Sequence, residues 1–522
     1  MTTTMPATTS TLTAMGHEAP RVGWRGWAAL VVLMLPVLLV SVDNTVLSFA
    51  LPQIALDLEP TATQQLWIVD AYPLVLASLL VTMGTLGDRF GRRRMLLIGA
   101  TGFGLVSALA AFAPSAEWLI AARAALGVFG AMLMPSTLSL LRTIFRNRDQ
   151  RRMAIAVWAA GFSAGAALGP VVGGLLLEHF AWGAVFLMAV PVLVPLLILV
   201  PILVPESRDP NPGRFDPVSV ALSLATMVPI VYAIKEFAVH GAENATPLVL
   251  VLAGLGFGVL FVRRQNRLET PMLDMALFRR WSFTGSVLVN LLSVIALVGF
   301  LYFVAQHLQL ILGLSPMQAG LALVPGLAMM IVAGIGVVPI AKRVAPRVVV
   351  PAALVFSIVG YVLVAVTAST GSLALLVVAF VSLGIGIGAA ETVSNELILA
   401  SAPSSKAGAA SAVSETAYEL GAVLGTTIMG GILAAFYATH LVLPAGLPAS
   451  AAAAARETLG GAVAASHELP EPLGQALRDA AAHAFDAGVG VTALIGAGLI
   501  VVAAVIAALT LGGRPNRVPA EH

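Results

Sequence analysis

The chain contains no cysteine. Disulfide frameworks, thiolate metal sites and thiol catalysis are therefore outside its chemistry. Its eight histidines fall into no HExxH or other ligand spacing, so no metal and no cofactor is expected. No GxxxxGK[ST] run occurs, which excludes a phosphate-cradling loop and ATP as the energy source. Charge is scarce, at 10% of the 522 residues, and no soluble domain is visible. Residues 1–20 lack a basic start, a short apolar core and a cleavage site, so they read as a disordered cytoplasmic tail and not as a signal peptide.

What is abundant is apolar. Hydrophobic residues make up 59% of the chain. Apolar spans fall near 27–51, 65–85, 95–113, 117–140, 153–177, 183–204, 217–235, 247–262, 283–305, 317–340, 348–367, 373–399, 408–435 and 488–511. Each is about the ~20 residues that cross the hydrocarbon core as a helix. An even number of crossings puts both termini on one side, and the positive-inside rule chooses the cytoplasm. On that choice 24 of the 28 Lys and Arg lie in inner segments, Lys235, Arg456 and Arg478 lie in outer loops, and Arg123 is intramembrane. The basic residues thus mark topology, and no nucleic-acid partner is expected. The long outer loop, 438–487, has Ala-rich runs on either side of Leu469 to Pro472. This predicts two short helices with a Pro turn, either a solvated connector or a hairpin over the outer mouth.

Three motifs stand out. Residues 84–94 read GTLGDRFGRRR, where Gly84 and Gly91 allow a tight turn, Asp88 can accept from an arginine or a helix N-terminus, and Arg89 and Arg92 begin a basic cluster suited to headgroups. Residues 123–130 read RAALGVFG. Residues 161–174 read GFSAGAALGPVVGG, in which Gly161, Gly165 and Gly169 form a flat packing face and Pro170 bends the helix. Together these resemble the major facilitator superfamily, and the glycine run resembles its antiporters. Fourteen spans, with Val42–Pro52, Leu66–Tyr72 and Glu415–Gly421, are similar to its fourteen-helix drug:proton antiporters.

The resemblance implies an all-α membrane protein with two six-helix bundles, 25–204 and 271–512, and two inserted helices within 205–270. Tails at 1–24 and 513–522 complete the expected division. It also implies proton-driven export of quaternary ammonium compounds, cationic dyes or fluoroquinolones across a bacterial inner membrane by a monomer. Some relatives carry an acid in span 10 that recognises dications. Span 10 here has none, so preference for mono- or dications stays open.

A charge in mid-bilayer costs at least ~2.5–3.5 kcal/mol, so each needs an account. Asp43 lies roughly 24 Å into span 1 at 1.5 Å per residue, and Arg123 starts span 4 from the outside. The two can meet, either as a structural ion pair or as a proton switch, and the resemblance implies the switch. Glu415 and Glu419, four apart on one helix face, repel each other, so at least one is expected to take up a proton near neutral pH. No basic residue is placed in an adjacent span, which favours proton coupling at Glu415 and cation binding at Glu419. Tyr418 either packs or lines the cavity. Asp70 and Trp67 share a face and suit a cation through charge and cation–π contact, or else sit solvated at the mouth. Glu391 lies deep in the inner half of span 12. The expected partners are organic cations, protons and the lipid bilayer. Export of an endogenous metabolite or lipid is the alternative, and a non-transporting sensor a more distant one.

Overall fold

The computed structural model describes residues 22–208, 216–240, 245–269, 271, 273, 275–401 and 407–512. The expected tails, apart from residues 22–24, lie outside the described residues, as do Arg214 and Lys406. The described residues form helices in the order α1 (Trp24–Leu58), α2 (Ala62–Phe90), α3 (Arg92–Ala110), α4 (Ala116–Ile144), α5 (Arg148–His179), α6 (Ala184–Leu187), α7 (Ala189–Leu203), α8 (Pro217–His240), α9 (Thr246–Gln265), α10 (Trp281–Gln306), α11 (Pro316–Ala341), α12 (Pro346–Thr370), α13 (Leu373–Ser401), α14 (Ala407–Gly425), α15 (Gly431–His440), α16 (Ala449–Glu457), α17 (Leu459–His467) and α18 (Glu471–Thr510). Single π-helical turns, His307–Ile311 and Thr426–Gly430, follow α10 and join α14 to α15.

Among the described residues, thirteen helical stretches are long and apolar enough to cross a membrane. α5, at 32 residues, fills the fifth position. The spans begin where local chemistry permits. Thr61 with Gln64 and Ser315 with Gln318 make capping boxes at α2 and α11, so the first amides of those helices are not orphaned. We call the face where α1 begins the basic face and the opposite one, carrying α16 and α17, the cap face.

The loop between α2 and α3 lies on the basic face. Gly91 there has φ of 113°, and a Cβ would lie 2.8 Å from a Glu206 carboxylate oxygen. Asp88 accepts from Arg92 at 2.8 Å. Glu206 accepts from the Arg93 amide at 3.0 Å, and Val204 O from the Arg93 guanidinium at 3.1 Å. Two arginines expected at headgroups therefore tie this loop to the chain after α7.

The glycine run serves two interfaces. Gly165 and Gly169 lie on α1: their Cβ atoms would fall 3.0 Å from Leu38 O and 1.8 Å from Thr45 Oγ1. Pro170 and Gly174 instead meet α11, where a Cβ on Gly174 would fall 2.7 Å from the Met317 Cα. Gly165→Val is expected to destabilise the protein by about 1–3 kcal/mol through overpacking, because a backbone carbonyl cannot yield. A thermal melt of the purified variant measures this.

α8 and α9 form a hairpin closed by Asp216, which caps α8 at Ser219 and accepts two bonds of 2.9 Å from Arg264. Arg264 holds the Asp216 carboxyl down at about 2. A depressed carboxyl stabilises above its ordinary 3.8 and loses that contribution as pH falls through its folded value. Asp216→Asn should therefore speed amide exchange at the start of α8 at pH 7 and narrow its difference from wild type as pH falls toward 2.

The cap departs from the sequence expectation. The first Ala-rich run is two helices, α16 and α17, because Thr458 breaks it and caps α17 by accepting from the Gly461 amide at 2.9 Å. The second run is no separate helix. Pro470 and Pro472 sit at the start of α18, where a missing N–H is harmless, and α18 then runs 40 residues through the last span. Tyr437 in α15 donates to Ala455 O at 2.8 Å, and Leu459 and Ala462 are buried. Losing that bond costs about 1 kcal/mol, so Tyr437→Phe should raise hydrogen exchange across 449–467 while leaving the spans protected.

Candidate functional site

Named contacts between the two bundles cluster toward the cap face. They include α5 on α11, Gln309 on Phe49 O at 3.1 Å, and Gly430 against Leu66. The cap side is therefore closed. Glu391, Glu415 and Tyr418 keep partial exposure, while Glu396, nearer the basic face, is exposed.

Asp43 and Arg123 do meet. Arg123 Nη1 donates to Asp43 Oδ2 at 2.7 Å, with the two residues 1% and 5% exposed respectively. Arg123 is fixed from other directions too. It donates to Ile68 O at 3.1 Å and to Val69 O at 3.4 Å, and it lies 4.7 Å from the Tyr72 ring centroid. Gly127 and Gly130 of the same motif let α4 approach α2 at Tyr72. The adjoining Asn44 side chain donates to Glu419 Oε1 at 3.5 Å. Consecutive residues of α1 thus connect an arginine-held carboxylate in one bundle to a carboxylate in the other. Glu419 is 4% exposed, and its Oε2 has no partner among the described residues. Such a carboxylate can hold a proton or a cation, and holding one excludes the other.

Glu415 lies one turn nearer the basic face than Glu419. A polar cluster beside it joins three helices: Asn290 of α10 and Ser414 of α14 both donate to Asn395 Oδ1 of α13, at 2.8 and 2.6 Å. Buried Ser286 and Ser293 continue the Asn290 face of α10. One carboxylate oxygen of Glu391 also lacks a partner among the described residues.

The Asp70 site differs from both sequence readings. Asp70 is not solvated at the mouth, nor is its face open. Lys235, expected in an outer loop, lies inside α8 with no exposure. Its Nζ is 2.9 Å from Asp70 Oδ2 and 3.8 Å from the Trp67 ring centroid. Thr427, in the π turn, donates to the same oxygen at 2.8 Å. The expectation that no span near Glu415 and Glu419 carries a basic residue also needs correcting, since α8, which carries Lys235, packs on the π turn and α15 that continue the Glu415–Glu419 helix.

A sequence profile of the Major Facilitator Superfamily matches residues 33–426. The chain belongs to that superfamily. Within the superfamily, the multidrug efflux pump LfrA of Mycolicibacterium smegmatis is 58% identical over 482 residues, covering 92% of this chain and 95% of that pump. The methyl viologen resistance protein SmvA of Salmonella typhimurium is 38% identical, covering 88% of this chain and 93% of that protein. A solved structure, the inward-facing, occupied bacterial homolog of the human lysosomal transporter Spinster, aligns with a TM-score of 0.67 at 16% identity. It covers 93% of this chain and 96% of that one, and bears on the fold alone.

The residues that sequence reasoning missed were Lys235, Thr427, Asn44 and Asn290. Only Lys235 carried a signal, as a lone lysine at the end of an apolar run.

Proposed function

We propose that this superfamily member is a proton-coupled antiporter that exports lipophilic organic cations across a bacterial inner membrane, with both termini cytoplasmic. The basic face is then cytoplasmic and the cap face outer. Residues 25–204 and 271–512 are the moving halves, and 205–270 the insertion. The observation that carries this reading is the link from Arg123 through Asp43 and Asn44 to Glu419, which joins titratable groups of both halves. The 58% identity to a multidrug efflux pump over nearly the whole chain supports the substrate class.

A cation enters from the basic side, past Glu391 and Tyr418, and meets Glu415 and then Glu419. Protons arriving from the cap side neutralise these carboxylates and Asp43, weaken the cation's hold, and favour outward release. Rocking of the halves alternates access. Quaternary ammonium biocides and cationic dyes suit a site of carboxylates among apolar walls. The test uses purified protein in liposomes loaded with ethidium. Export driven by an imposed pH gradient and stopped by a protonophore supports the proposal. Export indifferent to the gradient removes proton coupling from it.

A further inference from the structure

Lysine is rare here, with three residues against 25 arginines. Lys342 ends α11 on the basic face, and Lys406 lies outside the described residues. Among the described lysines, Lys235 alone lies within a candidate span, fully buried in the inserted helix α8. Around its ammonium stand the Asp70 carboxylate at 2.9 Å and the Trp67 ring at 3.8 Å, with the Tyr232 ring 6.2 Å from that of Trp67. A carboxylate with aromatic faces is how proteins hold organic cations. The site is therefore a cation site that already contains a cation.

Its placement matters as much as its chemistry. Asp70 belongs to one half, Thr427 to the other, and Lys235 to the insertion. All meet on the cap side, where the halves must part for outward release. Asp70 Oδ1 has no hydrogen-bond partner among the described residues, so the carboxylate keeps acceptor capacity beyond its present contacts. Lysine also suits an exchangeable role better than arginine does. It is a compact point charge on a flexible four-carbon stem, whereas a guanidinium fork fixes itself by several bonds, as Arg123 does.

We propose that Lys235 is a tethered stand-in for the transported cation. It fills the Asp70–Trp67 site while the cap side is closed, yields it to an organic cation moving outward, and expels that cation by returning. This rests on the cation-export reading above. Exchange of one cation for another keeps the buried carboxylate paired throughout, which avoids the cost of leaving it alone. A tethered group competes at an effective concentration of about millimolar, enough to displace a cation bound more weakly than that.

The test uses tetraphenylphosphonium and a K342R/K406R protein in liposomes, in which Lys235 is the single lysine. Acetylation of Lys235 by acetic anhydride, a permeant acyl donor that leaves acetate, is read by mass, under a pH gradient, with and without the cation. The inference expects tetraphenylphosphonium to raise Lys235 acetylation several-fold. It also expects K235M to lower KM and kcat together, each by about tenfold, because the cation binds without its competitor and leaves slowly. D70N/K235M should lose the lowered KM. Transport with Lys235 acetylation unchanged by the cation makes Lys235 a structural tie and overturns the inference, while the export reading stands. This arm needs no change at residue 235, so misfolding of K235M cannot blunt it. Failure of the wild type to transport tetraphenylphosphonium overturns the export reading, and the inference with it.

Discussion

Asp43→Asn is expected to reduce proton-driven accumulation of an organic cation to background while leaving cation binding measurable. Asparagine keeps an acceptor for Arg123, and Arg123 keeps Ile68 O, Val69 O and the Tyr72 ring. Breaking a buried ion pair costs about 3–5 kcal/mol, and the acceptor that asparagine retains holds the cost to the low end of that range, so the variant should fold. What it loses is the titratable group. A half of the transporter that cannot take up a proton at residue 43 has no reason to change its hold on Arg123 when the gradient changes. The measurement compares uphill transport in liposomes under a pH gradient with downhill exchange at equal pH. Uphill transport by the variant at wild-type rate would remove Asp43 from coupling and leave the Arg123 pair as scaffold.

The second large effect concerns Glu415 and Glu419. Protons and a cation compete for the same carboxylates, so wild-type affinity should rise with pH and level off once the carboxylates are ionised. A Glu415→Gln/Glu419→Gln protein should bind with an affinity that stays flat across roughly pH 4 to 9, a window that contains the ordinary Glu value of ~4.3. Removing the charge-assisted contacts costs about 1.5–3 kcal/mol, or roughly 10–100-fold in Kd. Of the single variants, Glu419→Gln should weaken binding more, because Glu419 is buried against Asn44 while Glu415 keeps partial contact with water. Fluorescence quenching by a monovalent dye cation at several pH values measures both. Wild-type affinity and wild-type pH dependence in the double variant would move the site to Glu391.

The positions of the spans were legible because hydropathy is a local property, and a run of ~20 apolar residues has one physical solution in lipid. The meeting of Asp43 and Arg123 was legible for a related reason: depth in the membrane follows from residue count, and two opposite charges at one depth attract. The glycine run announced close packing but not its partners. Nothing in the sequence says that Gly165 faces α1 while Gly174 faces α11. Lys235 was misplaced by the logic that placed the spans. A lysine followed by a glutamate at the end of an apolar stretch reads as the start of a loop, and its partner is distant in the chain, in a helix with which it shares no periodic signal. The cap was misread at Pro470 and Pro472, where prolines that break a helix interior instead begin one.

α18 has a mechanical consequence of its own. At 1.5 Å per residue its 40 residues measure roughly 60 Å, about twice the hydrocarbon thickness. About half of α18 is thus more than a crossing needs, and this mast packs against α15 and α17. His307, beside the end of α10, meets Asp486 on that mast at 2.8 Å. Below it, Gly496 brings the mast's membrane half against Tyr361 of α12. A force applied to the exposed part is delivered, without a joint, to the outer flank of one half of the transporter. An antibody fragment clamped to residues 471–487 should therefore act as a lever on the rocking motion, slowing turnover from a point where no cargo passes.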